Sequence, residues 1–367
     1  MKTNNGSPPI RVAVIGCTGM AGRNLVIALE KHPWFKITSL HGSRNVNKPY
    51  RELIKISPGI LSETVLNCKV STVDDLENNL DSIDVIFSAI PSEDAALIEG
   101  KLAKFKPVIS TASAFRYDSD VPILLPVVNG EHYKSIYTQQ RLRKWKGFVC
   151  AGPNCTTVGL AVALAPIFRK FGLTTVHLVS MQAISGAGYP GVPSYDILEN
   201  VIPYIKNEEN KVKIEIKKIL STIKVENSKS IWNYPEFKID CKCNRVPVIT
   251  GHTISVFFQT KIPTNVEEIQ NSLRNFKGDT NELDLPHNPE PVIHVFNSDT
   301  PDRPQPRLEF HSPKTGLTTF IGGLEPTSFE NGFKMTILSN NLELGAGSGA
   351  VLNAEYLVEK GLIGGCD

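Results

Sequence analysis

Residues 10–22 read Ile-Arg-Val-Ala-Val-Ile-Gly-Cys-Thr-Gly-Met-Ala-Gly. The first six form a short apolar run with the β-branched bias of a buried parallel strand. A G-x-x-G-x-x-G loop follows at once, and a helical pattern then extends from Asn24 to about Lys31. Glycines in such a loop let the backbone approach a pyrophosphate, which the helix N-terminus then holds. The stretch therefore predicts the opening of a dinucleotide-binding domain.

The second predicted strand, residues 35–41, ends in Gly42-Ser43-Arg44. An NAD-specific site is expected to carry an acidic residue here, which bonds the ribose 2′-hydroxyl. The hydroxyl of Ser43 and the guanidinium of Arg44 suit a 2′-phosphate instead, so the sequence predicts NADP as the cofactor. The alternative is that Arg44 is merely an exposed loop charge.

Four further segments predict strands that complete the sheet next to this loop. They are residues 84–91, 107–110, 123–126 and 147–151. The small, polar end of the first, around Ser88, would face the cofactor. A loop at the same edge carries Arg116, which is either a solvated side chain or an anion ligand that reaches toward the next motif.

That motif is Gly-Pro-Asn-Cys-Thr-Thr, residues 152–157, between the last of these strands and an apolar helix predicted over 158–171. At a helix N-terminus, unpaired N–H groups and aligned peptide dipoles favour negative charge. A thiol there can ionise below its usual pKa and act as a nucleophile. Cys155 is therefore a candidate nucleophile, and the alternative is a plain buried cysteine.

Beyond residue 171 the pattern predicts a second unit. Its predicted elements are strands over 176–181, 244–260, 318–324 and 332–338, a helix over 194–206 with Ser194 as N-cap, and a buried helix over 345–360 that returns to the first sheet. Residues 302–307 are too rich in proline for regular structure. Taken alone, residues 208–211 indicate an exposed charged segment, and His252 is more often a satisfied core or surface residue than a catalyst.

The length of 367 residues exceeds what one hydrophobic core usually serves and predicts two domains. A net charge of +2 without a basic run argues against nucleic acid and for a small-molecule partner. The longest apolar run, residues 158–167, is far below a membrane span, and the N-terminus lacks a signal-peptide pattern. We therefore expect a cytoplasmic protein without membrane contact.

The seven cysteines are an odd number without framework spacing, which suits a reducing compartment. Cys241-x-Cys243 is not accompanied by a second Cys or His pair at metal-binding spacing. No metal site is expected.

Together these stretches resemble the aspartate-β-semialdehyde dehydrogenases, specifically their archaeal and fungal branch, over nearly the whole chain. The matching stretches stand in that family's order and are residues 16–22, 153–157, 181–183, 185–192, 208–211, 243–248, 251–253, 302–308 and 352–355. The resemblance implies an α/β protein. A Rossmann-type nucleotide-binding domain over 1–153 would be completed by 345–367, and an inserted α+β catalytic and dimerisation domain would span 154–344. It also implies a homodimer or homotetramer.

The resemblance implies reductive dephosphorylation of L-4-aspartyl phosphate by NADPH to aspartate semialdehyde, in the biosynthesis of lysine, threonine, methionine and isoleucine. Cys155 aligns with the nucleophile, which forms a thioester. His252 aligns with the acid/base. Gln182 aligns with a residue that orients the acyl group.

The substrate and cofactor residues follow from the same resemblance. Arg245 aligns with the residue that grips the substrate α-carboxylate, Glu208 with the partner of its amino group, and Arg116 and Lys211 with the phosphate site. Asn154 is assigned to the substrate as well. The cofactor positions are Gly16, Thr18, Gly19, Met20, Ala21, Gly22, Ser43, Arg44, Ser88, Gly186 and Asn341.

Three positions depart from the family pattern. Leu344 stands where the family has an arginine that would anchor the catalytic geometry or the nicotinamide pocket, Val128 replaces a glutamate, and Cys17 replaces an alanine. A thiol at Cys17 would let oxidation block cofactor binding. The alternatives are a malonyl-CoA reductase, an N-acetyl-γ-glutamyl-phosphate reductase, and a paralogue that binds NADPH without turnover.

Overall fold

The computed structural model describes residues 8–43, 46–55, 59–227, 229–310 and 316–364. Two six-stranded sheets and the helices around them make up most of this part of the chain. Among the helices it contains, none is both long and apolar enough to cross a membrane.

The first sheet is parallel throughout, in the order β3-β2-β1-β4-β5-β6. Its strands are β1 (Ile10–Ile15), β2 (Phe35–His41), β3 (Val70–Ser71), β4 (Val85–Ser88), β5 (Pro107–Ser110) and β6 (Phe148–Ala151). The strand order reverses at β1, and the crevice outside the carboxyl ends of strands at such a point is where dinucleotides bind. The prediction of a Rossmann-type sheet is confirmed.

Seven helices connect these strands within the described ranges. They are α1 (Met20–Leu29), α2 (Tyr50–Leu53), α3 (Glu63–Leu66), α4 (Val73–Glu77), α5 (Ser92–Leu102), α6 (Pro126–Asn129) and α7 (Ser135–Arg143). The strand predicted over 123–126 was wrong: Ile123 makes a single bridge to Ala151, and Pro126 opens α6. A proline at a helix start lacks only an N–H that would be unpaired there anyway.

The second sheet is mixed, in the order β10-β7-β11-β14-β13-β12. Its strands are β7 (Leu173–Gln182), β10 (Lys238–Arg245), β11 (His252–Thr260), β12 (Ile293–Val295), β13 (Thr319–Pro326) and β14 (Gly332–Ser339), while β8 (Thr222–Glu226) and β9 (Lys229–Asn233) form a separate hairpin. The helices of this part are α8 (Cys155–Phe171), α9 (Ser194–Ile197), α10 (Glu208–Ile219), α11 (Val266–Arg274), α12 (Pro306–Glu309) and α13 (Gly347–Glu359).

Several predicted elements of the second part were wrong in extent. The helix predicted over 194–206 ends at Ile197, and Ser194 is its first residue rather than its N-cap. Pro203 lacks the N–H that a continued helix would need. Residues 208–211 open α10 instead of forming an exposed segment, and Glu208 is buried. The stretch 244–260 is interrupted between β10 and β11.

Residues 302–307 were predicted to lack regular structure, and this was wrong for Pro306 and Arg307, which open the single turn α12.

One hydrophobic cluster extends from the first sheet through α8 into the second sheet, with Phe87, Leu164 and Ile254 among its members. A smaller cluster containing Ile86 and Val149 covers the opposite face of the first sheet, since successive side chains of a strand point to opposite faces.

Helix α13 returns to the first sheet and packs on α1. The buried Glu355 accepts hydrogen bonds through Oε1 from His32 Nε2 at 2.8 Å and from His287 Nδ1 at 2.5 Å. His32 Nδ1 accepts from the N–H groups of Trp34 and Phe35, so its own proton lies on Nε2. Because Nε2 of His32 then has no free lone pair, the cluster of His32, His287 and Glu355 does not fit a metal centre. It instead links α13 to the segment before β2.

Candidate active site

Cys155 is the first residue of α8, three positions before the predicted start of that helix. The side chain of Asn154 caps the helix, because its Oδ1 accepts from the N–H groups of Thr156 at 2.8 Å and Thr157 at 3.2 Å. The cap fixes the turn between β6 and α8, and with it the position of the thiol.

The sulfur of Cys155 lies 3.3 Å from Nε2 of His252, the first residue of β11. The N–H of Ala183, directly after β7, donates to Nδ1 of His252 at 3.1 Å. Since β7 and β11 are antiparallel neighbours, this bond orients the imidazole with Nε2 toward the sulfur. The structure therefore brings together two residues that the sequence analysis linked only through the resemblance.

The environment of this pair disfavours charge. Burial raises the pKa of the Cys155 thiol to about 12; Glu208 and Glu215 add to that effect, and Arg116 and Arg245 oppose it. Burial, with the nearby Arg245, lowers the pKa of His252 to about 3. The expectation that the helix N-terminus would bring the thiol pKa below its usual value was wrong for this structure, because burial has the largest effect on that pKa and raises it.

A cavity of about 320 Å³ opens beside Cys155. Eleven of the predicted site residues line it, namely Met20, Ala21, Arg116, Asn154, Cys155, Gln182, Gly186, Glu208, Lys211, Arg245 and Asn341. They come from both halves of the chain, so the cavity lies where the edge of the first sheet meets the second sheet.

Glu208 organises one wall of the cavity. Its Oε1 accepts from Asn154 Nδ2 at 3.0 Å, Thr156 Oγ1 at 3.1 Å and Gln182 Nε2 at 3.2 Å. The ammonium of Lys211, one turn along α10, lies 3.8 Å from Oε2. Glu208 is thus only 5% exposed, but hydrogen-bond donors of the protein replace the water that its carboxylate loses on burial.

Arg245 ends β10 and is buried, with Nη1 donating to the carbonyl of Ala183 at 2.8 Å. Gly186 lies directly against it: a Cβ at Gly186 would stand 2.9 Å from Nη1 of Arg245 and 3.0 Å from Cε1 of His252. Gly186 was predicted to bind the cofactor; a larger residue there would press on the Arg245 guanidinium and the His252 ring.

Arg116 reaches the cavity from the loop after β5. Its Nη2 donates to the carbonyls of Thr111 at 2.8 Å and Pro153 at 3.2 Å, and its Nη1 donates to Glu215 at 3.0 Å. Nε of Arg116 has no hydrogen-bond partner among the described residues. The interpretation of Arg116 as a solvated loop side chain was therefore wrong, since it is only 5% exposed.

The glycine loop has the shape that a dinucleotide phosphate requires. Gly16 has a φ of +74°, and a Cβ at Gly22 would lie 2.1 Å from the carbonyl oxygen of Gly16. Gly19 caps α1 without a side-chain hydrogen bond, and the first turn of α1 carries no acidic residue. Free N–H groups at such a helix start suit a pyrophosphate. Thr18 lies in this loop, and its carbonyl accepts from Nε of Arg23.

Ser43 is exposed after β2, whereas Arg44 lies outside the described residues. The hydroxyl of Ser88 does not face the crevice, because it donates to Glu99 Oε1 at 2.6 Å. Ser110 Oγ donates to the same oxygen at 2.7 Å, and burial raises the pKa of Glu99 to about 7.

The side-chain amide of Asn341 is held at both ends. Its Nδ2 donates to Ser185 Oγ and its Oδ1 accepts from the N–H of Gly251, each at 2.9 Å.

The three departures from the family pattern lie in packed surroundings. Leu344 is 3% exposed within the hydrophobic core, while its neighbours Leu342 and Gly345 line the cavity. Val128 is buried in α6. Cys17 is buried, and burial raises its pKa to about 12, which is the opposite of what a reactive thiol needs.

Two residues of the site were not singled out from the sequence. Glu215 is fully buried beside Arg116, and nothing in its local pattern distinguishes it from other charged residues of α10. A Cβ at Gly345 would lie 2.8 Å from Cβ of Cys155. Gly345 directly follows the departure at Leu344, and the glycine itself was the available signal.

A parallel sheet with a phosphate-type glycine loop, joined at its carboxyl edge to a buried cysteine–histidine pair, defines a dinucleotide-dependent oxidoreductase of the α/β class. Residues 11–136 match the family model described as the semialdehyde dehydrogenase NAD binding domain, and residues 164–343 match the semialdehyde dehydrogenase dimerisation domain. The chain belongs to the aspartate-semialdehyde dehydrogenase family.

Individual relatives cover almost the whole chain. The chain is 41% identical to an aspartate-semialdehyde dehydrogenase from Archaeoglobus fulgidus, over 96% of this chain and 99% of the relative. It is 35% identical to a malonyl CoA reductase (NADP) from Metallosphaera sedula, over 96% and 98%. The solved structure of aspartate semialdehyde dehydrogenase with NADP from Candida albicans superposes with a TM-score of 0.85 at 32% identity, covering 97% of this chain and 100% of that one.

Proposed function

We propose that this protein is an NADP-dependent aspartate-semialdehyde dehydrogenase that reduces L-4-aspartyl phosphate to L-aspartate 4-semialdehyde and releases phosphate. The observation that carries the proposal is the Cys155–His252 pair at 3.3 Å, beside a cavity lined by charged side chains of both signs. Its place in metabolism would be the common route to lysine, threonine, methionine and isoleucine.

The charges around the cavity match the ends of an aspartyl phosphate. Arg245 offers a planar fork for the α-carboxylate, and Glu208 a carboxylate for the amino group. Arg116 and Lys211 supply positive charge where a phosphate dianion departs.

The proposed chemistry begins with attack by the Cys155 sulfur on the acyl carbonyl, which forms a thioester and breaks the carbon–oxygen bond to phosphate. Nδ1 of His252 accepts from the Ala183 N–H, so the neutral imidazole carries its proton on Nε2, where it would donate to the Cys155 thiolate rather than take the thiol proton. Gln182, fixed by Glu208, would orient the acyl group. NADPH would supply the hydride that reduces the thioester, after which the carbon–sulfur bond breaks to release the aldehyde and the Cys155 thiolate.

The residues that would hold NADP are those of the glycine loop and the first turn of α1, with Ser43 and Arg44 near the 2′-phosphate and Gly186 and Asn341 near the cavity. Met20 and Ala21 begin α1 and also line the cavity, so a cofactor bound at the glycine loop would extend from the first sheet toward Cys155. The relative solved with NADP supports this choice of cofactor.

A malonyl-CoA reductase is the second candidate, because a relative of that name is 35% identical over 96% of the chain. The buried carboxylate of Glu208 favours the aspartyl substrate, since it can pair with an ammonium group that a malonyl thioester lacks. Asn154 supports this reading, because its side chain holds Glu208 in place.

The experiment is the reverse reaction, followed by NADPH absorbance with aspartate semialdehyde, phosphate and NADP⁺, alongside malonyl-CoA with NADPH. Phosphate-dependent turnover of the semialdehyde is the expected result. Turnover of malonyl-CoA alone would transfer the assignment to the second candidate. Silence in both assays, with NADPH still bound in a fluorescence titration, would identify a non-catalytic paralogue.

We also propose a homodimer or homotetramer that works in the cytoplasm, since residues 164–343 match a dimerisation domain. Multi-angle light scattering would show a mass of two or four chains. A monomer at micromolar concentration would contradict this part of the proposal.

A further inference from the structure

Glu215 is a fully buried carboxylate in α10 that bonds to two parts of the active site at once. Its Oε1 accepts from Arg116 Nη1 at 3.0 Å and from the Tyr117 hydroxyl at 3.3 Å. Its Oε2 accepts from the backbone N–H of Asn154 at 2.7 Å. Asn154 directly precedes Cys155, so one side chain connects the phosphate-site arginine to the nucleophile turn.

Helix α10 presents this connection along one face. Glu208, Lys211, Glu215 and Lys218 follow at spacings of three and four, which places them on the same side of a helix. Lys218 Nζ donates to the backbone carbonyls of Arg116 and Asp118, each at 2.7 Å. The loop that carries Arg116 is therefore held to α10 by its backbone through Lys218 and by its guanidinium through Glu215.

We propose that Glu215 is a positioning residue that sets Arg116 against the Cys155 turn and thereby builds the phosphate subsite. Without the carboxylate, the guanidinium would keep only its bonds to the carbonyls of Thr111 and Pro153, and it would be free to swing about them. This inference rests on the proposed function and adds a residue that the resemblance did not supply.

The charge of Glu215 does not help the thiol to ionise. Besides burial, Glu208 and Glu215 raise the pKa of Cys155, while Arg116 and Arg245 lower it; neutral His252 contacts the sulfur from β11. Glu215 therefore positions Arg116, but its charge also raises the pKa of Cys155 and so disfavours the thiolate. Removing its charge weakens phosphate binding and acts on Cys155 in two opposing ways, because loss of the Glu215 charge lowers the thiol pKa and displacement of Arg116 raises it.

The test is Glu215→Gln, assayed in the reverse direction, with Glu215→Asp beside it. In Glu215→Gln we expect the KM for phosphate to rise about ten- to hundredfold, because a charge-assisted bond to Arg116 is lost. The KM for NADP⁺ should change less than about threefold. The pH profile of Cys155 alkylation by iodoacetamide should change, since both the charge of Glu215 and the position of Arg116 act on the thiol pKa. Glu215→Asp keeps the charge but shortens the reach, so it should also raise the phosphate KM.

The matched control is Glu209→Gln on the same helix, whose carboxylate pairs with Lys242 at 3.2 Å and lies outside the cavity wall; it should behave as wild type. An unchanged phosphate KM in both Glu215 variants would overturn the proposal. So would an equal loss in kcat for all substrates with no alkylation shift, which indicates a purely structural role. If the wild type itself shows no phosphate-dependent turnover, the proposed function fails, and the alkylation profiles still decide whether Glu215 acts on the Cys155 turn.

Discussion

Cys155 Sγ and His252 Nε2 lie 3.3 Å apart, although 97 positions separate the two residues in the chain. The cysteine begins α8 at the edge of the first sheet, and the histidine begins β11 in the second sheet. Their contact therefore depends on how the two sheets meet at α8.

Replacing Cys155 by serine should abolish reduction while the protein still binds NADPH. A serine hydroxyl beside a neutral histidine is a far weaker nucleophile than a thiolate, so we expect kcat to fall at least about a thousandfold. Turnover and NADPH fluorescence titration measure the two effects. Cys68→Ser, at a partly exposed thiol that donates to the Lys69 carbonyl and lies outside the cavity wall, is the control and should keep its activity. Appreciable residual turnover in Cys155→Ser would argue against the nucleophile role.

Arg245→Lys should weaken substrate binding with little effect on the cofactor. A single ammonium cannot replace a fork that holds a carboxylate while Nη1 bonds to the Ala183 carbonyl. We expect the KM for aspartate semialdehyde to rise roughly ten- to hundredfold, corresponding to about 1.5–3 kcal/mol. Arg274→Lys, at an exposed position in α11, should leave both constants unchanged. An unchanged KM in Arg245→Lys would refute the carboxylate role.

Gly345→Ala should reduce kcat sharply. The added Cβ would stand 2.6 Å from the carbonyl oxygen of Asn341 and 2.8 Å from Cβ of Cys155, so either the loop or the nucleophile must shift. Displacements of this size at a reacting atom cost on the order of a hundredfold in rate. Gly100→Ala in α5, where the nearest atom is 3.6 Å away, should keep kcat and gain stability. Wild-type kcat in Gly345→Ala would show that the loop tolerates the side chain.

His132→Gln should flatten the acid side of the stability profile. His132 is buried, with Nδ1 bonded to Asn129 and Nε2 donating to the Ser221 carbonyl, and burial followed by the effect of Lys218 lowers its pKa to about 4. Because the unfolded pKa is about 6.5, the unfolded chain binds the proton first as the pH falls. The contribution of neutral His132 to the free energy of unfolding is complete above about pH 6.5 and is lost as the pH falls toward about 4.

Between about pH 7.5 and 5.5, wild type should therefore lose roughly 1 kcal/mol more unfolding free energy than His132→Gln. Urea unfolding at both pH values measures the difference. His177→Gln, at an exposed position, should follow wild type. Equal losses in wild type and His132→Gln would mean that His132 is not held neutral by its burial.

Peroxide should leave NADPH affinity unchanged, contrary to the hypothesis that oxidation of Cys17 blocks the cofactor. The thiol is buried and burial raises its pKa to about 12, so the reactive thiolate is scarce. Titration before and after treatment, with Cys17→Ala as the control, measures this. A loss of affinity in wild type that is absent from Cys17→Ala would restore the oxidation hypothesis.

Local pattern was a reliable guide where a segment is buried on both faces or ends at a glycine turn. Strands β1 and β5 have the predicted bounds, because a short apolar β-branched run leaves few alternatives. Strand β2 also has its predicted bounds and is followed by Gly42, although several of its side chains are exposed or half-buried. Local pattern failed for residues 194–206, where an apolar period was read as a helix although Pro203 interrupts it and Ile202 pairs with Arg245 instead.

The sequence by itself determined the Rossmann-type sheet, the glycine loop that suits a pyrophosphate, and the placement of Cys155 at a strand-to-helix turn, since each depends on residues close together in the chain. Only the tertiary structure decided that Glu208 is buried, that Glu215 joins Arg116 to the Asn154 turn, and that the Cys155 pKa is raised rather than lowered. Burial and the sum of distant charges set these properties, and neither is a property of local sequence.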